Sequence, residues 1–300
     1  MAESFTAIHT YSDPGLEKQR SYDYELSIRL SAEAISYCLS DSNTAKFLHL
    51  ESFDLAEPGM RPYIPGDREL NDTTKLNALL DGDLHWLTNK FSKTRVLIDQ
   101  GNSSLMPEAL YSEEDKGNIF EFNIAGGPYK ESELHHDHLH SLNAYSIYHV
   151  PASLDSLINK FFPEAAVFHH SSAIIQSLYL KYMNQESDKH VFVNTGKSRV
   201  DILRLQGKKL EYFNSFRYNT AEDFMYYLIF VVEQLGLNPE SVEMMMMGEV
   251  DKHSSLSDLV HKYIRNVHFI KRNEDFRYSF VFDQVPGHYY YNLLNASLCE

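Results

Sequence analysis

Apolar and polar residues alternate through three short stretches early in the chain. In residues 24–30, Tyr24, Leu26, Ile28 and Leu30 fall on one face, and residues 34–39 and 46–53 read as two further strands. Polar turns at residues 31–33 and 40–44 separate them. The period then changes. Leu76, Leu79, Leu80, Leu84, Leu87 and Phe91 recur mostly three or four residues apart, which predicts a helix with Asp72 or Thr73 as its N-cap. Residues 94–98 then read as a buried strand, whereas residues 1–20 are polar and irregular, with a turn at Asp13, Pro14 and Gly15.

The same order returns later. Residues 190–193, 200–205 and 209–216 read as strands, with a turn through Gly207. Thr220 caps a helix running to about Leu235, which Gly236 ends, with Pro239 beyond. Residues 242–247 form a buried strand, followed by a helix over 256–264 and a strand over 267–270. Three consecutive short strands predict an antiparallel meander, and the helix that follows predicts a parallel crossover. The fold class is α/β with two lobes. Each has a mixed sheet of meander plus parallel strands, flanked by helices. The expected division is an irregular segment over 1–20, a first lobe over 21–188 and a second over 189–300. Residues 119–183 contain a polar loop, a strand pair, and helices over 154–161 and 172–183.

Charge narrows the partners. The formal net charge is −15 and no concentrated basic run exists, so nucleic acid and anionic membrane surfaces are not expected to bind. The densest basic stretch, residues 262–272, is diluted by Val267, Phe269 and Ile270. No window reaches the length of an apolar membrane span, and the N-terminus lacks a secretory pattern. The two cysteines, Cys38 and Cys299, stand far apart, so a disulfide framework is excluded and a cytoplasmic location is expected.

Two segments could carry chemistry. The first, VFVNTGKSRVDILRLQGKKL over residues 191–210, is a strand, a turn through Gly196, and two more strands. It resembles the phosphate-binding hairpin of the actin, heat-shock chaperone and sugar-kinase superfamily. In those proteins a strand delivers an acidic residue, and backbone N–H groups of a Gly-containing turn make an anion nest. The plain alternative is a β-hairpin using glycine for positive φ. The second, EMMMMGE over residues 243–249, resembles the strand–glycine–helix turn that contacts adenosine there. Its plain alternative is strand-to-loop punctuation, with four methionines filling a core.

Three stretches resemble a bacterial family, domain of unknown function 3822. They are YELSIRLSA at 24–32, LMPEALY at 105–111, and EYFNSF at 211–216 continuing through the helix to QLGLNP at 234–239. The resemblance covers residues 20–300 and implies a duplicated actin-like ATPase fold. It also implies a nucleotide cleft using Asn194, Thr195, Gly196, Ser198, Gly248 and Glu249.

The departures from a working ATPase argue that this cleft is vestigial. Asn194 stands where an acidic, metal-facing residue is expected, and an amide carries no charge to hold a magnesium-bound water. Arg29 and Leu30 stand where the first hairpin, IRLSAEAI at 28–35, should have Asp and Gly. Glu249 replaces the second glycine of the adenosine turn. The expected function is therefore a non-catalytic binding or scaffold protein with no cofactor, whose partner is another protein or peptide. Pilus and cell-division relatives of this superfamily bind partner peptides. The alternative is a weak ATP-binding protein, an ATPase or a small-molecule kinase, with Thr195, Gly196, Ser198 and Gly248 at the phosphates and base and ATP with magnesium as cofactor.

The run ESELHHDHLH at 131–140 offers another candidate. On a strand, His136, His138 and His140 share one face, and His135 and Asp137 the other. Three imidazoles so spaced can capture zinc, nickel or copper, but no cysteine accompanies them and no metal site is assigned. His169 and His170 precede a helix and read as a packed or capping pair. No G-x-S-x-G elbow or Walker A loop is present, so nucleophilic catalysis has no support and no catalytic residue is assigned.

Overall fold

The computed structural model describes residues 6–55, 73–124, 127–184 and 190–299. Strands β1 (Ala7–Ser12), β2 (Tyr24–Ser31), β3 (Ala34–Asp41) and β4 (Lys46–Asp54) lead to helix α1 (Thr74–Asp81) and strand β5 (Lys93–Asp99). Then follow β6 (Ser103–Pro107), α2 (Lys116–Asn123), β7 (Leu134–Leu139), β8 (Ala144–His149), α3 (Ala152–Phe161), β9 (Ala166–His169) and α4 (His170–Tyr182). The remaining elements are β10 (His190–Thr195), β11 (Arg199–Gln206), β12 (Lys209–Arg217), α5 (Ala221–Gln234), β13 (Glu243–Gly248), α6 (Ser255–Tyr263) and β14 (Asn266–Phe269).

The repeat read in the sequence is a repeat of topology. One sheet runs β4-β3-β2-β5-β9 with β1 added beyond β4, and another runs β12-β11-β10-β13-β14. In each, an antiparallel meander is joined by parallel strands: β2 pairs β5, β5 pairs β9, β10 pairs β13, and β13 pairs β14. A third, small sheet orders β6-β8-β7, in which β7 and β8 are the strand pair expected within residues 119–183 and β6 is a strand the sequence reading did not expect.

The chain forms two compact units. The first comprises Met1–Ala173, Glu274–Val285 and Leu293–Glu300, and the second Ile174–Asn273 and Pro286–Asn292. The expected boundary after residue 188 lies outside the described residues. The last segments of the expected second lobe belong to the first unit. Arg277 pairs beside Lys46 on β4, and Ala296 and Cys299 pack with Leu97 and Ala173.

Two sequence expectations need correction. Residues 7–12 are not irregular: β1 pairs antiparallel with β4. Its residues alternate between half-buried and exposed, so this edge strand lacks the apolar face that marks its neighbours. The first helix also stops early. Gly82 follows α1, a 3-10 turn covers His85–Thr88, and Leu84, Leu87 and Phe91 reach the same core from this broken segment. Thr73 holds the N-cap position without a side-chain capping bond, and Asp72 lies outside the described residues.

Apolar faces position the sites. Leu26, Ile28 and Leu30 of β2 pack with Leu76, Leu79 and Leu80 of α1 and Leu154 and Ile158 of α3. In the second unit, Val191 and Val193 of β10 pack with Phe224 and Leu228 of α5 and Met244 and Met246 of β13. The opposite face of β2, β3 and β5 is polar yet buried. Ser27, Arg29, Ser36 and Arg95 are each buried, with Arg29 3.6 Å from Asp99 and Arg95 2.8 Å from Glu25.

Candidate functional site: the β10–β11 hairpin and the end of β13

The residues assigned to the nucleotide cleft come together at one end of the second sheet. Asn194 is opposite Met247 and Thr195 opposite Gly248 across the parallel β10–β13 pair. Asn194 is also opposite Asp201 across the antiparallel β10–β11 pair. Glu249 is held beside them, its N–H donating to the Thr195 carbonyl at 2.6 Å. Ser198 sits in the hairpin turn, where its carbonyl accepts from Tyr218 N at 3.0 Å.

The two glycines act differently. The Gly196 N–H closes the hairpin onto the Arg199 carbonyl at 2.8 Å, and its own carbonyl accepts from the Tyr218 hydroxyl at 2.5 Å. Gly196 does not have positive φ, and an added Cβ would meet only Arg199 O at 3.4 Å. Gly248 has φ of 89°, and a Cβ there would lie 2.3 Å from Thr195 O and 2.8 Å from Asn194 Oδ1. Its N–H donates to the His288 carbonyl at 2.8 Å. Glycine is required at 248 because the Thr195 backbone of β10 and the Asn194 amide crowd the place of a Cβ.

Asn194 is tied to its neighbour strand through its side-chain amide nitrogen. Its Nδ2 donates to Asp201 Oδ2 at 2.8 Å, while Asp201 Oδ1 accepts from Ser215 Oγ at 2.6 Å and lies 3.3 Å from Arg199 Nε. Asp201 is 2 % exposed. An aspartate at 194 would set two carboxylates at hydrogen-bond distance, and one of them would have to keep a proton. The acidic group of this strand end thus sits on β11, where arginine, serine and amide donors surround it. Sequence reasoning missed Asp201 and Tyr218; a lone aspartate inside VDIL was the available signal for the first.

Residues 13–267 match the family described as "Protein of unknown function (DUF3822)". The chain belongs to this family. It is similar to a crystal structure from Bacteroides thetaiotaomicron described as a protein with actin-like ATPase fold and unknown function. That match has 23 % identity and a TM-score of 0.68, over 85 % of this chain and 93 % of the other. It is also similar to a structure described as the PilM-PilN type IV pilus biogenesis complex, with 14 % identity and a TM-score of 0.58. That match covers 92 % of this chain and 97 % of the other. These likenesses show the actin-like ATPase fold. A comparison with curated proteins gives no match.

In this DUF3822 protein the histidine run lies on β7 of the small sheet. His136 and His138 share the face of Tyr145, with His138 stacked on that ring at 4.5 Å, and His135 contacts Tyr148 on the other face. His140 leaves the strand in a 3-10 turn. Each strand histidine meets its own carboxylate: His135 lies 3.8 Å from Asp155, His136 3.4 Å from Glu113, and His138 3.3 Å from Glu108. Burial pulls the His135 and His136 pKa values below the ordinary range. Among the described residues no group of three or more His, Cys, Asp or Glu is arranged to hold a metal ion. Nor is any described helix long and apolar enough to cross a membrane.

Asp137, between those histidines, is the anchor of the small sheet. It accepts from His169 N at 2.8 Å, Ser172 Oγ at 2.6 Å and the Tyr148 hydroxyl at 3.0 Å, at the start of α4. His169 and His170 are the packed pair expected, both fully buried. Burial raises the Asp137 pKa from 3.8 to about 7 against those hydrogen bonds. Below about pH 4 the carboxyl is protonated in both the folded and unfolded chain. Above that, the unfolded chain releases the proton while the folded protein retains it, so stability falls as pH rises towards 7. Asp137→Asn keeps the shape without titrating. Thermal melts are expected to show the wild type losing up to about 4 kcal/mol relative to this variant from pH 4 to 7. A pH-independent difference between the two proteins would refute the assignment.

Proposed function

We propose that this DUF3822 protein is a non-catalytic binding protein on an actin-like ATPase fold. The observation that carries the reading is Asn194, which ends β10 with an amide where a metal-facing acid is expected, while the neighbouring buried carboxylate of Asp201 is held by Asn194, Ser215 and Arg199. The Gly248 backbone, expected at the adenosine, is crowded by Thr195 and Asn194 instead.

A binding face fits the same unit. Helix α5 is apolar on every side over residues 224–232, but only one side packs into the core. Tyr226, Phe230 and Tyr263 remain 65 %, 41 % and 51 % exposed around a groove whose lining includes Glu222 and Glu233. The partner is a peptide segment with apolar residues bracketed by lysine or arginine, because the glutamates complement that pattern and repel a second copy of this acidic chain. Similarity to the PilM-PilN complex supports a protein partner.

The catalytic half of the reading is tested by thermal shift with millimolar ATP and magnesium, where no stabilisation is expected. Clear stabilisation that vanishes in Gly196→Trp overturns it, since that turn tolerates a side chain and folding is kept. For the binding half, a fluorescent Leu/Lys amphipathic peptide is expected to bind the wild type and to bind Phe230→Ser about tenfold more weakly. Equal binding, or dimerisation through the strip on gel filtration, removes this face as the partner site.

A further inference from the structure

The outward stripe of α5 has a spacing of its own. Glu222, Tyr226, Ile229 and Glu233 follow one another at intervals of four, three and four residues, with Met225 and Phe230 flanking that line. Alternating intervals of four and three keep side chains on one seam of a helix, the seam that receives a second helix in knobs-into-holes packing. Tyr263, the last residue of α6, walls the seam, and the groove between them measures about 290 Å³.

Packing within this chain does not account for the stripe. Phe224, Leu228 and Val231 fill the core side of α5, whereas Tyr226 and Phe230 are exposed, their rings stacked at 6.2 Å. That mutual contact holds both rings in place before a partner arrives, which lowers the ordering cost of binding. Glu233 stands in the last turn of α5, where the helix dipole disfavours a negative charge. Neither glutamate has a lysine or arginine three or four residues away, and among the described residues neither is in an ion pair. The neighbouring Lys262 lies over the Tyr263 ring instead, 5.8 Å from its centroid.

The form of the partner follows from what the groove offers. An extended peptide takes its affinity from main-chain hydrogen bonds to a strand edge. Here all lining residues are helical, so the groove presents side chains and no strand edge. A helix satisfies its own backbone and brings only side chains to such a surface. Glu222 and Glu233 are eleven residues apart, about 16.5 Å along the axis at 1.5 Å per residue and close to three turns.

We propose, resting on α5 as the binding face, that the groove takes an amphipathic α-helix lying along α5. Two lysines or arginines eleven residues apart face Glu222 and Glu233, and the apolar side chains between them sit on Tyr226, Ile229 and Phe230. A strand would reach both glutamates with cations only about five residues apart, at about 3.3 Å per residue.

Fluorescence anisotropy with the full chain and three labelled peptides tests this. The first is a hydrocarbon-stapled helix of about 18 residues with lysines eleven apart and leucines between them. The second is the same stapled helix with lysines seven apart, which keeps them on one face but shortens the span to about 10.5 Å. The third is unstapled, with lysines five apart and a central proline that cannot continue a helix. The first is expected to bind, and the other two at least about tenfold more weakly. Glu233→Gln, at an exposed position, is expected to erase the preference for the first helix over the second. Equal or tighter binding of the third peptide places a strand in the groove. Equal binding of the two helices, or a preference that survives Glu233→Gln, removes the charge spacing. Each of these overturns the proposal and leaves the binding face standing, whereas binding by none of the three overturns both.

Discussion

Gly248→Ala is expected to destabilise the second unit by more than about 4 kcal/mol, and in practice to yield little soluble protein. The added Cβ would lie 2.3 Å from the Thr195 carbonyl oxygen and 2.8 Å from Thr195 N. Those are backbone atoms of a paired strand, so they cannot swing aside as a flexible side chain would. The φ of 89° adds strain for any residue with a Cβ. Gly207→Ala serves as the control, because its φ is also positive at 55° but its Cβ meets nothing within 4 Å. Its cost should stay near 1 kcal/mol. Chemical denaturation of the two variants separates crowding from conformational strain. Similar losses at both positions would remove the close approach as the reason for Gly248.

Asp201→Ala is expected to cost about 3–5 kcal/mol, read from the same denaturation curves. It strips the acceptor from Asn194 Nδ2 and Ser215 Oγ and leaves the neighbouring Arg199 without its carboxylate in a nearly buried site. Asn194→Asp should also destabilise, for the opposite reason, by facing one buried carboxylate with another. The exchange Asn194→Asp with Asp201→Asn restores one acid and one amide across the same register. It is expected to recover most of the loss of Asn194→Asp. A double variant as unstable as the sum of the singles would show that the two side chains are not coupled.

Much of the fold was legible in the sequence because it follows from local periodicity. Alternation in residues 24–30 fixed the inward face of β2, since successive strand side chains point to opposite sides. Thr220 and Gly236 bracketed α5, and the structure has a capping box of Thr220 with Asp223 and a φ of 62° at Gly236. What failed locally was weakly patterned. β1 has no continuous apolar face, and the run from Leu76 to Phe91 keeps helical spacing while its backbone breaks at Gly82.

The candidate site was legible in position but not in meaning. Sequence comparison of the motif marked Asn194, Gly196 and Gly248, and these do meet at one end of β10 and β13. Reading Asn194 only as a missing acid overlooked Asp201, seven residues away along the chain but directly opposite across the hairpin. The tyrosines at 289–291 show the same limit. Composition suits such a run to an interface and to burial alike, burial being the commoner case, and Tyr290 and Tyr291 are buried.

The sequence by itself determined most of the order of elements and the duplicated meander-and-crossover plan, because these rest on spacing within one segment at a time, and the likeness of three stretches to family members pointed to the family. Only the tertiary structure decided what the residues of the expected cleft touch. Cross-strand register gives Asn194 to Asp201, backbone crowding makes Gly248 obligatory, and the C-terminal segment returns to pack with Leu97 and Ala173. Each of those depends on residues distant in sequence becoming neighbours, and no periodicity along a chain encodes such a pairing directly.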